Sequence, residues 1–335
     1  MKTALRRLPL LGIVIVATSC DNVEWGGAYM QMRLPSESPV SDPEPEVLDV
    51  LEVVEDTETD APPLGPILYL GHRAGSEATL VPVAEIRAGG LFPLDGAGSV
   101  EASRSFVDDY LAPGQKFTLF SDGARVGSLS AERFSVDERY CRVRPQIRGP
   151  IELTPTASTV QTFLALPASR AGEFTYGNYS PVVHTRDLRV TSLTTMQQVI
   201  PSVGALWPAS VLDIRQDIQI FRARPGEAPT VVATFVYADD LVVGPPGRGA
   251  YSVFLAADDD DGTGYQGTYV DYRLASRDGK GAARYFDHLD VDGDGSEEIV
   301  LEVLGEESMW LATLSRQAGA WVETYRDPCG LPPGS

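Results

Sequence analysis

The segment Asp290-Val291-Asp292-Gly293-Asp294-Gly295-Ser296-Glu297-Glu298, followed at once by Ile299-Val300-Leu301-Glu302-Val303, decides how this chain is read. Counting from Asp290, carboxylates stand at positions 1, 3, 5 and 9 of a short loop. Alternate residues of a curled backbone aim their side chains at one centre, and a hard cation such as calcium gathers about six to eight oxygens around itself. Gly293 and Gly295 supply the backbone freedom for the curl. The expected ligands are Asp290, Asp292, Asp294 and Glu298, with the Ser296 carbonyl as the position-7 donor.

An EF-hand would close its shell with a bidentate Glu at position 12 and continue into a helix. Position 12 here is Leu301, and the residues after Glu298 alternate as a strand does. Ile299, Leu301 and Val303 face one way, and Val300, Glu302 and Leu304 the other. Both faces are mostly apolar, so the strand is expected to be covered on each side. A D-x-D-G-D-G-x-x-[DE] loop leading into an apolar strand resembles the FG-GAP or VCBS-like repeats of integrin-type β-propellers. The resemblance spans Tyr285 to Tyr325, about the length of one propeller blade. It implies a calcium-binding loop, a blade-like repeat and a domain that presents loops to protein or glycan partners. Only one good copy is present, so a complete propeller is not implied.

The amino terminus reads as an export signal over residues 1–19. Lys2, Arg6 and Arg7 precede an apolar core, Leu8 to Ala17, that is too short to span a bilayer. It ends Ala17-Thr18-Ser19-Cys20, which resembles a bacterial lipobox, although Ala17 stands where Leu or Val is usual. The resemblance implies lipidation of Cys20 and a membrane partner reached through the acyl chains. The competing reading is an ordinary secretory signal with an incidental cysteine. Cys141 and Cys329 remain; in an oxidising compartment such a pair is most simply a disulfide, with two separate buried thiols as the alternative.

The whole chain carries a formal charge of −20, and removal of the signal takes away three basic groups and no acidic ones. That excess repels nucleic acid, which is excluded as a direct partner. Residues 20–66 are rich in Pro, Ser, Glu and Asp and read as an acidic, disordered tether.

The expected fold is mainly β. Residues 67–155 read as a small all-β, barrel-like unit with a hairpin at Ser121-Asp122-Gly123. Residues 156–213 form a mixed region, with a strand at Thr162 to Leu166 and one helix over Pro181 to Val199. Residues 214–329 read as an antiparallel β-meander ending in the propeller-blade-like repeat. Leu274, Gly279, Tyr285 and Asp287 echo Leu314, Gly319, Tyr325 and Asp327 at an offset of 40, which raises a degenerate first blade. The acidic knot Asp258 to Asp261 before it is either a solvated turn or a poorer cation site.

Catalytic motifs are absent: there is no HExxH, GxSxG, Walker-type or Rossmann signature. His72, His184 and His288 are far apart in sequence, and His288 reads best as a histidine packed beside a turn. Trp310, Trp321, Tyr269, Tyr272, Tyr285 and Tyr325 form either a ligand face or core. The expected function is a calcium-stabilised, non-enzymatic binding or scaffolding module of the cell envelope. The alternatives are a hydrolase of envelope glycans or peptides with its site in 151–215, and a structural partner of an envelope assembly.

Overall fold

Short runs of Val, Ile, Phe and Tyr punctuated by Gly and Asp favour strands over helices, and the computed structural model is mainly β with antiparallel sheets. It describes residues 65–87, 90–94, 100–137, 143–171, 177–178, 184–224 and 226–327. The export signal, Cys20, Cys141, Cys329 and the tether as far as residue 64 lie outside the described residues. The last two tether positions are already tied down: Gly65 N–H donates to Glu85 Oε1, and Ile86 N–H donates to the Pro66 carbonyl.

Three sheets account for the strands of the described residues. The first comprises β1 (Ile67–Ala74), β2 (Glu77–Arg87), β3 (Gly90–Pro93), β4 (Lys116–Ser121), β5 (Ala124–Ser130), β6 (Arg133–Asp137), β7 (Arg144–Leu153), β8 (Thr162–Pro167) and the two-residue β9 (Gly177–Asn178). Their pairing order is β3-β2-β1-β8-β4-β5-β7-β6, and β2 also pairs with β7. Hydrogen-bonded neighbours therefore run in a closed circuit from β2 through β1, β8, β4, β5 and β7 back to β2. The expected boundary at residue 155 is corrected by this connectivity. β8, placed by the sequence in the mixed region, sits between β1 and β4, because its apolar run fills the gap that only a buried strand can fill.

Helix α1 (Val100–Tyr110) follows β3, and the single-turn α2 (Ala168–Ala171) follows β8. Helix α3 (Arg186–Ser202) begins five residues later than expected, at a Thr185 cap whose hydroxyl accepts the Leu188 N–H. The second sheet is the meander β10 (Arg215–Phe221), β11 (Thr230–Tyr237), β12 (Tyr251–Asp258) and β13 (Gln266–Leu274). After the short α4 (Ala275–Asp278) comes the third sheet, the meander β14 (Gly281–Leu289), β15 (Glu298–Gly305), β16 (Met309–Gln317) and β17 (Ala320–Arg326).

The elements stack in layers. Tyr69, Leu80, Phe117, Leu119, Ile147 and Phe163 fill one core inside the circuit. On its outer face Leu68, Val83, Phe120, Leu164 and Leu166 cluster with Leu289, Val291, Val300, Leu311 and Tyr325 of the third sheet. The opposite face of that sheet, with Ile299, Leu301 and Val303, packs on Val232, Phe254 and Ala256 of the second sheet. Met196, Val199 and Ile200 of α3 cover the far side of the second sheet. The expected two-sided burial of β15 is thus present.

The 40-residue echo does not mark a structural repeat. Leu274 to Asp287 crosses from the second sheet to the third through α4, whereas Leu314 to Asp327 spans the β16–β17 hairpin. The two sets occupy different places in their meanders. What they share is a buried aspartate facing the first sheet, described below.

Polar contacts also cross the layers. Arg144 of β7 forms a two-pronged pair with Asp327, at 2.7 and 3.0 Å, and donates to the Pro82 carbonyl. Both side chains are almost fully buried. Arg144→Met strands the Asp327 carboxylate in the core and is expected to lower stability by about 3–5 kcal/mol. Chemical denaturation measures this; an unshifted midpoint would remove the pair from the list of contacts that hold the layers together.

Candidate metal centre

The loop from Asp290 to Glu297 joins β14 to β15, and local chemistry shapes it. Gly293 and Gly295 take φ of 84° and 86°, the left-handed region that only glycine enters without strain. Asp290 folds the loop over itself: Oδ1 accepts the Gly293 N–H at 2.6 Å and Oδ2 the Gly295 N–H at 3.0 Å. Asp292 accepts from the Asp294 N–H, and Asp294 from the Ser296 N–H. These turns leave one oxygen each of Asp290, Asp292 and Asp294 within 4.8 Å of one another. Oxygens on opposite sides of a calcium ion lie roughly 4.6–5.2 Å apart, so the three carboxylates suit such an ion.

Glu298 stands apart from that trio. Its Oε2 accepts the Val291 N–H at 3.0 Å and the residue is buried. Burial, and then the charges of Asp292, Asp290 and Asp294, push its carboxyl up to about 8, against the pull of the Val291 N–H. Asp290 is raised by burial, opposed by its two backbone donors and reinforced by Asp292 and Asp294. Among the described residues no basic side chain forms an ion pair with Asp292, Asp294 or Glu298. The Ser296 side chain is buried and its Oγ has no hydrogen-bond partner. Asp292, Asp294 and Glu298, clustered with Asp290 beside an unsatisfied hydroxyl, are a donor set of the kind that could hold a divalent cation. The EF-hand is excluded as argued from sequence, because Leu301 is buried within β15.

A second set of residues flanks the loop, and sequence reading missed most of it. The Asp287 carboxylate accepts the N–H groups of His288, Asp122 and Gly123. It caps the β4–β5 turn, whose residues Asp122 and Gly123 both have positive φ, as a tight hairpin requires. Complete burial drives its carboxyl well above the ordinary range despite those donors. His288 lies buried between Tyr285, whose hydroxyl bonds Nδ1, and Glu297, whose Oε2 is 3.1 Å from Nε2 without hydrogen-bond alignment. Its ring stacks on Phe221 at 4.2 Å. Burial lowers this imidazole to about 3, while burial and then the Asp290 charge raise Glu297 to about 8. Both groups are therefore mostly neutral near pH 7, enclosed at a sheet junction. The expectation for His288, a histidine packed beside a turn, holds. The role of Asp287 at this junction was not readable because two of its donors, Asp122 and Gly123, lie more than 160 residues away in sequence.

The remaining candidates resolve into structure. Asp258 is buried and accepts from Thr230 Oγ1, Thr268 Oγ1 and Trp321 Nε1, joining the second and third sheets. Asp260 pairs with Arg316, and Asp261 closes a turn on Thr263, so the acidic knot is a turn tied to its surroundings by protein partners. Trp321, Tyr285 and Tyr325 are core residues. His184 is exposed, and it lies close enough to Asp217 for its charge to act on that carboxyl, which burial raises. No helix of the described residues is long and apolar enough to cross a membrane. Compared with family models, curated proteins and solved structures, the chain matches none.

Space around Gly295 is open, so a substitution there tests backbone conformation alone. Gly295→Ala is expected to destabilise the loop by about 1–2 kcal/mol, and Gly295→Asn by less, since Asn tolerates the left-handed region. Thermal melts of both variants give the order; equal losses would contradict the strained-turn account.

Proposed function

We propose that this chain is an exported, lipid-anchored β protein whose carboxy-terminal sheets are stabilised by calcium, and that it serves as a non-enzymatic binding or scaffolding module in the cell envelope. The observation that carries the calcium reading is the convergence of Asp290, Asp292 and Asp294 within 4.8 Å in a loop of the D-x-D-G-D-G-x-x-[DE] pattern. Asp290, Asp292 and Asp294 would hold the ion, with Glu298 and the Ser296 carbonyl completing the set. Bound calcium supplies positive charge that relieves the mutual repulsion of these carboxylates. The chain's own part is to pre-curl the loop through the Asx turns and the two left-handed glycines.

The finer architecture belongs to the same reading. We take the closed circuit of the first sheet as a small barrel-like unit, and the third sheet as a blade-like meander of the FG-GAP or VCBS kind. A protein or glycan partner is supported by Leu206, Trp207 and Leu212, which are 63, 57 and 53 % exposed in one loop after α3. The lipid anchor rests on the Ala17-Thr18-Ser19-Cys20 motif and the disulfide on the pairing of Cys141 with Cys329. The buried Arg144–Asp327 pair supports that disulfide, joining positions three and two residues from those cysteines.

Calorimetric titration and melting in calcium and in chelator test the central claim. At a free concentration one hundred times Kd, calcium is expected to add about 2.7 kcal/mol to stability, and the double variant Asp292→Asn, Asp294→Asn to lose the gain. Identical melts with and without chelator would overturn the reading. For the cysteines, intact mass in non-reducing conditions is expected to fall two hydrogens short of the reduced mass. Free reactivity of both thiols in the folded, untreated protein would exclude the bond.

A further inference from the structure

The loop that carries the carboxylates also touches the first sheet. Val291 sits between the ligands Asp290 and Asp292, yet its side chain is fully buried. With Leu289 it belongs to the core cluster that contains Phe120, Leu164, Leu166 and Ala171 from β4, β8 and α2. Alternation along the loop explains the division: positions 1, 3 and 5 aim at the ion site, and position 2 points into the junction. Arg170 of α2 donates to the Asp292 carbonyl at 3.5 Å. The β4–β5 turn is seated on the loop's flanks with no room to spare. A methyl group on Gly123 would lie 2.7 Å from His288 Nε2 and 2.9 Å from Glu297 Oε1. Asp287 holds the same turn by its backbone N–H groups.

We propose that the Asp290–Glu298 loop is a cation-dependent latch between the first sheet and the third. The inference rests on the calcium reading above and adds what the ion controls. Closing the loop around a cation fixes the backbone from 290 to 298 in the shape that inserts Val291 and sets His288 and Glu297 under the Gly123 turn. Release of the cation restores the mutual repulsion of Asp290, Asp292 and Asp294, which strains the turns that hold the backbone on either side of Val291. Binding and docking are then linked reciprocally: whatever loosens the junction weakens the cation, and the reverse.

Hydrogen exchange of the whole protein, in calcium and in chelator, tests the latch. Chelation is expected to raise exchange in 290–300 and also in the β4–β5 hairpin, 116–130, which holds none of the ligands. A rise confined to 290–300 would overturn the latch and leave the calcium reading standing. No calcium effect anywhere would remove both. A second arm uses calcium affinity. Val291→Ala is expected to weaken binding about tenfold. Val253→Ala, an equally buried site in the core under α3, should leave affinity unchanged. Equal affinity losses in the two variants would reduce the effect to general destabilisation and overturn the proposal.

Discussion

Strand β15 of the third sheet has no wet face, and the rest of the architecture answers to that constraint. β15 is buried almost throughout, so its sheet needs apolar partners on both sides. The second sheet covers one side and the outside of the strand circuit covers the other. A single antiparallel sheet with one solvated face is the commoner solution. Here the sandwich is extended by a further layer, and each layer is defined by what it must cover. α3 exists in this scheme because the second sheet would otherwise leave Phe235, Val253 and Leu255 bare.

Much of this was legible in the sequence because strands report themselves by local pattern. The alternation of Ile299 to Leu304, the turn at Asp122-Gly123 and the runs from Ile218 to Tyr325 all correspond to strands or turns in the fold. The trio Asp290, Asp292 and Asp294 was readable too, since its geometry is set by spacing and glycine alone. The boundary at 155 was not readable. β8 is apolar whether it ends one unit or begins another, and only its pairing with β1 and β4 decides. Helix α1 escaped notice because Val100–Tyr110 is mostly polar and buries little beyond Ser103 and Phe106.

The junction between layers was the least legible part, because it is built from polar groups whose partners are remote. The echo of Tyr285-x-Asp287 in Tyr325-x-Asp327 acquires a physical meaning there. β14 and β17 are the two edge strands of the third sheet. Near the carboxy-terminal end of each stands a buried aspartate that engages the circuit: Asp287 holds the β4–β5 turn, and Asp327 holds Arg144. Tyr325 adds a bond from its hydroxyl to the Val83 carbonyl. Apolar packing alone would let two flat faces slide; directional bonds at both margins fix their register.

The position of β8 carries a consequence for how the molecule is made. It is the latest of the six circuit strands to be synthesised, yet it lies between β1 and β4, which precede it by roughly a hundred and by about fifty residues. A nascent chain can form the β1–β2 and β4–β5 hairpins early, but they stay unjoined along that seam until residue 167 has emerged. Long-range closure of this kind slows folding, and the facing edges of β1 and β4 keep their backbone groups unpaired until β8 arrives.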